Sequence, residues 1–390
     1  MLEFNEFCCI FGAEYLMSME NLQANLRRFM KNENLSIPAL AENSGVSRAT
    51  ISNILNGKAD PSNSTLEKLA SSLKVSMSML YAEKPILKSL RYRTHKDLSA
   101  REKSAKETLL YTIYDKLNQY KQIEKYSNLP PLIDVFAFPR EPESAAHRLR
   151  RKLSIAPNMP VFGFCEKLNS LGIKLFFFCF GLSKTFGLSV NKEDGGPAIF
   201  VNTGTANVER WIFTIFHELG HIILHPESYD GQIIAENEHA KEETDADLFA
   251  AEFLLPTEVV KEKVKGTRDF SFIRKVLEIK QEYSVSYKCV LRQYCRAYSR
   301  EYNKILPKFQ AMYKQWKKHD FKGYYEPEAL PKDRFSFEDP NFKTCLLRAL
   351  GKDDVEWELA AKLLETDVES LKATFEEAKP FAKDAARYPF

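Results

Sequence analysis

The 390-residue sequence has no Cys-x-x-Cys pair, and its cysteines are odd in number: Cys8, Cys9, Cys165, Cys179, Cys289, Cys295 and Cys345. That pattern argues against a disulfide framework. It fits reduced thiols packed as small apolar groups, as in a cytoplasmic protein. Long apolar runs are also lacking. "GIKLFFFCFGL" (172–182) is the oiliest stretch and is far shorter than the ~18 residues of a membrane span, so no membrane partner is expected. Nor is there a large excess of charge. A formal charge of +3 does not imply nucleic acid by itself, so only local motifs can point to DNA. The opening "MLEFNEFCCIFGAEYLMSMEN" has no basic n-region and does not read as a signal peptide. Residues 1–18 are expected to be an unstructured leader or an upstream start. Internal repeats and low-complexity segments are absent.

What is present suits an ordinary globular chain of two or three domains: 44% hydrophobic and 28% charged residues. Punctuation by Ser, Gly, Asn and Pro predicts five short helices over 19–83. Residues 84–144 read as a basic linker with one long helix from about 99, its lysines forming a solvated face rather than a phosphate-binding one. Three strand-like runs follow, around "GIKLFFFCF", "FGLSVN" and "PAIFVN", the last two joined by "KEDGG". Two helices come next. Residues 301–390 read as a helical region without a chemical motif. The expected class is α+β, mainly helical.

The stretch "FTIFHELGHIILH" (213–225) carries the chemistry. Residues i and i+4 project from nearly the same face of a helix, so His217 and His221 can share one metal ion. Glu218, one step round, can hold a water and take its proton. A zinc ion there lowers the pKa of that water toward ~7. Phe213, Ile215, Phe216, Leu219, Ile222, Ile223 and Leu224 surround these groups, and buried imidazoles need partners. Gly220 admits a close neighbouring backbone. A third ligand must come from elsewhere, and the next helix offers Glu242, Glu243, Asp245 and Asp247. His225 either supports the metal site from behind, steadies an oxyanion, or simply ends the helix. Tyr229 and His239 are weaker candidates for oxyanion stabilisation.

Together, "PAIFVN…ERWIFTIFHELGHIILH…EETDADLFAAEFLLP" resembles the ImmA/IrrE-type metallopeptidases over about 145–300. The resemblance implies a zincin-like domain with a small β-sheet, Zn2+ as cofactor, and Glu218 as catalytic base. It also implies that the acid before alanine, here Asp245, is the third ligand, with Glu242 as the alternative. The implied substrate is a repressor or antitoxin-like protein cut to release transcription.

"IPALAENSGVSRATISNILNGKADPSNSTLEKLASSLKVS" resembles the XRE, or lambda-repressor-like, DNA-binding domain. Gly45 permits the turn and Ser47 caps the second helix, whose N-terminal part reads base edges in this motif. The implied DNA-contacting residues are Ser47, Arg48, Thr50, Asn53 and Lys58, with Arg27 and Arg28 as phosphate contacts. Paired half-sites would make a homodimer. The whole chain is expected to be a DNA-binding regulator with a zinc endopeptidase. The rival expectations are a regulator with a non-proteolytic zinc sensor or scaffold, and a component of a toxin–antitoxin or phage-defence system.

Overall fold

The computed structural model describes residues 19–83, 87, 89–91, 100–124, 138–204, 207–229, 236–321, 325–364 and 366–385. The expected leader 1–18 lies outside them. The described chain divides into two compact units. The first holds 19–83, 87, 100–118 and 180–182; the second holds 89–91, 119–124, 138–179 and the described residues from 183 on.

The first unit opens with the five expected helices: α1 (19–32), α2 (Ile37–Ser44), α3 (Arg48–Leu55), α4 (Asn63–Leu73) and α5 (Met77–Tyr81). Serine hydroxyls cap four of them, Ser36, Ser47, Ser62 and Ser76 each accepting a backbone N–H of the first turn. Gly45 ends α2 at φ 68°, a left-handed conformation that glycine adopts without strain. Leu22, Leu26, Phe29, Leu40, Ile51, Ile54, Leu66 and Leu69 close the core. The long helix α6 (Ala100–Glu124) contributes to this unit as far as residue 118. Its Tyr111 packs edge-on against Phe29 and bonds Asn25. Of the predicted linker 84–144, residues 100–118 thus belong to this unit, while 84–86, 88, 92–99 and 125–137 lie outside the described residues.

The second unit is built on a four-stranded sheet ordered β1-β3-β4-β2. The strands are β1 (Leu90–Arg91), β2 (Lys174–Phe178), β3 (Gly187–Val190) and β4 (Ala198–Asn202). β2 runs parallel to β4, while β3 is antiparallel to both β4 and β1. The three longer strands are those expected. β1, two residues long, falls below any periodicity signal. β4 is buried along its whole length and apolar up to its last residue, Asn202, as a central strand should be.

Helices α7 (Pro142–Lys152), α8 (Phe164–Ser170), α9 (Val208–Leu224) and α10 (Glu236–Leu254) join this sheet in one core with α11 (Thr257–Lys263), α12 (Asp269–Tyr283), α13 (Tyr287–Ala297) and α14 (Tyr302–Lys317). Phe309, Tyr313 and Leu330 belong to that core, so residues 301–337 do not form a separate region as expected. Only α15 (Pro340–Leu350), α16 (Trp357–Leu363) and α17 (Val368–Ala385) gather round a core of their own, with Ile123 of α6. Asp339 ties them to the sheet. Its carboxylate accepts from Leu175 N, Asn169 Nδ2, Tyr120 Oη and Phe342 N.

A fully buried lysine fixes the start of α9. Lys280 Nζ donates to Glu209 Oε1 at 2.6 Å and to the carbonyl of Glu328 at 2.9 Å, and lies 3.5 Å from Glu326 Oε1. Glu209 Oε1 also accepts from Leu330 N. Among the described residues no helix is long and apolar enough to cross a membrane.

Candidate metal centre

Helix α9 starts at Asn207, whose side chain accepts from Arg210 N, and is buried on almost every side. At its other end Arg140 Nη1 donates to Ile223 O. α10 crosses α9 at Gly220. A β-carbon built there would sit 3.1 Å from Ala246 Cα and 3.3 Å from Ala246 O, so glycine allows the approach, as expected. Phe216 stacks on Phe253 beside the crossing.

The crossing determines which side chains meet. On α9, His217 and His221 stand at −3 and +1 from Gly220. On α10, Glu243 and Asp247 stand at −3 and +1 from Ala246. The two i,i+4 pairs therefore face each other. His217 Nε2 and His221 Nε2 are 3.1 Å apart, and the Glu243 oxygens lie 3.5 and 3.4 Å from them. Zinc bonds of ~2.0–2.2 Å at tetrahedral angles separate donor atoms by about 3.3–3.5 Å. Two imidazoles and a carboxylate at these separations fit a divalent zinc ion in size and chemistry. Among the described residues, His217, His221 and Glu243 form the group able to hold a metal.

The third position differs from the expected one. Asp245 lies two residues, about 200°, round the helix from Glu243, on the other edge of α10. Its Oδ2 is 3.8 Å from His225 Nε2. The alternative, Glu242, accepts the hydroxyl of Ser228 at 2.5 Å. Glu243 was one of four acids on offer. The signal that singles it out is its spacing from the small residue Ala246, which copies that of His217 from Gly220.

Charges at the site reinforce one another. Burial pulls the His217 imidazole down, but Asp247, Glu243 and Glu218 outweigh it and carry the ring up to about 9. Burial raises Glu243, yet His217 and His221 hold its carboxyl far below the ordinary range. Asp247 is likewise pushed up by burial and brought below its ordinary value by His217, Arg292 and Arg210.

Glu218 is buried beside the pair and lines the same cavity of about 330 Å³ with His217, His221 and Glu243. Ser189 Oγ donates to Glu218 Oε2 at 2.7 Å, so the Tyr229 hydroxyl, 2.7 Å from Ser189 Oγ, must be the donor in that contact. Neither Ser189 nor its role was legible in the sequence. Gly187 and Ser189, two apart on β3, share the strand face toward α9. A β-carbon at Gly187 would come within 3.3 Å of Glu218 Cγ. Tyr229 is thus buried behind Glu218, while His239 lines the cavity, 4.0 Å from Glu243.

Gly220→Ala is expected to force α9 and α10 apart by a few tenths of an ångström. Stability should fall by about 1–3 kcal/mol, and zinc affinity should weaken with it. Thermal unfolding and competition with a chromophoric chelator would check both.

In the helix-turn-helix unit, Arg48, Asn53 and Lys58 are exposed and Thr50 is half-buried. Ser47 Oγ accepts from Thr50 N at 3.0 Å, making the expected cap. Arg27 donates to Leu55 O at the end of α3. Arg28 is bound to Glu107 and Asn25, with Tyr111 beneath it.

Residues 26–80 match the family model described as helix-turn-helix, and residues 168–293 match the peptidase family described as IrrE N-terminal-like domain. No match to the chain is found among curated proteins. The second span contains α9 and α10, which carry the metal-site residues, and the strands β2 to β4. The chain therefore carries an XRE-type helix-turn-helix domain fused to a metallopeptidase-like domain of the ImmA/IrrE type.

Proposed function

We propose that the chain is a cytoplasmic DNA-binding regulator whose second unit is a zinc endopeptidase acting on a helix-turn-helix repressor or antitoxin-like protein. The observation that carries this reading is the convergence of His217, His221 and Glu243 beside Glu218. His217, His221 and Glu243 would hold the zinc, which supplies Lewis acidity toward a peptide carbonyl and toward water. Glu218 takes the proton from the attacking water and passes it to the departing amine. Ser189, held in turn by Tyr229, fixes one Glu218 oxygen and so orients the carboxylate for that work. The exposed Arg48, Asn53 and Lys58, with Thr50 and the cap Ser47, are the proposed DNA-contacting set on α3 and the turn after it. Binding to paired half-sites would make the chain a homodimer.

The test compares wild type with Glu218→Gln. Both should carry about one zinc per chain. Zinc-loaded wild type, added to an extract of its source cells, should generate a new protein N-terminus. Glu218→Gln should lower that cleavage by ~10²-fold or more. Equal cleavage by both proteins, or none by either, would leave a metal-binding regulator without the protease.

A further inference from the structure

Each histidine of the proposed centre has a second ring nitrogen, and the structure gives each a different partner. His217 Nε2 faces His221 and Glu243, while its Nδ1 lies 2.9 Å from Asp247 Oδ1. Asp247 is itself held from the far side by Arg292, 3.4 Å from Oδ2, whose guanidinium stacks over Tyr302. On His221, Nε2 faces the same cluster and Nδ1 lies 3.3 Å from His225 Nδ1. His225 Nε2 in turn lies 3.8 Å from Asp245 Oδ2.

These contacts fix the tautomers. A metal-ligating Nε2 carries no proton, so Nδ1 must carry it and donate it. For His217 the acceptor is Asp247. For His221 the acceptor is the unprotonated Nδ1 of His225. A neutral His225 then carries its proton on Nε2, the nitrogen facing the Asp245 carboxylate. Every ring has one consistent assignment.

We propose that Asp247, and the pair His225–Asp245, are positioning residues that set the tautomer and ring orientation of His217 and His221 respectively for zinc. The inference rests on the metal-site reading above. It assigns the two aspartates of "TDAD" to opposite edges of α10, as supports behind two different ligands. Asp245 thereby gains a role although it does not join the ligand cluster.

The test is metal affinity, which needs no substrate. Purified full-length wild type, Asp247→Ala, Asp247→Asn, His225→Ala, Asp245→Ala and the ligand variant Glu243→Ala are titrated with Co2+ and Zn2+ against a competing chelator. Thermal unfolding of each metal-free protein serves as the control for folding. Asp247→Ala and His225→Ala should keep the four-coordinate cobalt absorption but bind about 10–100-fold more weakly. Asp247→Asn, whose amide oxygen still accepts from Nδ1, should recover much of the loss. Asp245→Ala, one contact further out, should lose only a few-fold. Should either alanine variant with the larger predicted loss unfold without metal, Asp247→Asn or His225→Gln is measured in its place. Wild-type affinity in Asp247→Ala and His225→Ala would overturn the inference alone. No metal uptake by the wild type would overturn the metal-site reading and this inference together.

Discussion

Glu243→Ala is expected to purify without zinc, whereas Asp245→Ala should retain about one zinc per chain. Glu243 presents its two oxygens 3.4 and 3.5 Å from the two histidine nitrogens, and the Asp245 carboxylate stands behind His225. Removing one of three protein donors forfeits about a third of a binding free energy of ~10–16 kcal/mol, or roughly 10²–10⁴-fold in affinity. Metal analysis by mass spectrometry checks the stoichiometry. The reverse result, zinc lost from Asp245→Ala and kept by Glu243→Ala, would restore Asp245 as the ligand. Uptake should also depend on pH. The metal-free protein holds the His217 ring charged up to about pH 9, against an ordinary value of 6.5. Zinc must displace that proton, so apparent affinity should rise about tenfold per pH unit below 9 and level off above it. The same shift stabilises the metal-free fold. That contribution is full below pH 6.5 and is lost as pH climbs through 9.

The elements were legible where a pattern repeats. The five serine- and glycine-punctuated helices, the three apolar strands and the oily helix around His217 all follow from periodicity and caps. Gly220 announced a close crossing, and α10 supplies it. The third member of the cluster was harder, because four acids on one helix all look able to reach. Once Ala246 is recognised as the residue under Gly220, helix geometry puts Glu243 and Asp247 on the histidine edge and Asp245 on the other. Ser189 was out of reach for a different reason. It arrives on β3 from 29 residues before Glu218, and a lone serine on a strand carries no local signal. Likewise β1 is two residues long, and the incorporation of 301–337 into the main core depends on contacts distant in sequence. The partner of Arg28, Glu107, was equally out of reach, because it arrives on α6, far along the chain.

Lys280→Met should be among the most destabilising single substitutions in the second unit, and the loss should depend on pH. The lysine is fully buried between Glu209 on α9 and Glu326 beyond α14. Methionine fills the space but leaves two buried carboxylates without their cation, which costs about 3–5 kcal/mol. Burial pushes the Glu326 carboxyl up to about 7 even though Lys280 pulls it down. Its folded value thus exceeds the ordinary 4.5, and between pH 4.5 and 7 the folded state binds more protons than the unfolded one. Wild-type stability from this group therefore falls as pH rises across that window and is flat above it. Without Lys280 the carboxyl titrates higher still. The penalty in Lys280→Met should then be largest near pH 8 and shrink toward pH 5. Glu326→Gln should remove the wild-type decline, because an amide does not titrate. Urea unfolding of the three metal-free proteins at pH 5, 7 and 8 measures this. His217 titrates in all of them, so the differences between proteins isolate Glu326. Parallel pH profiles for wild type and Glu326→Gln would show that Glu326 is not the titrating group. Because Glu209 lies in the first turn of α9, the same lysine holds the helix that presents His217, Glu218 and His221. A milder variant that folds without this contact should therefore bind zinc more weakly as well.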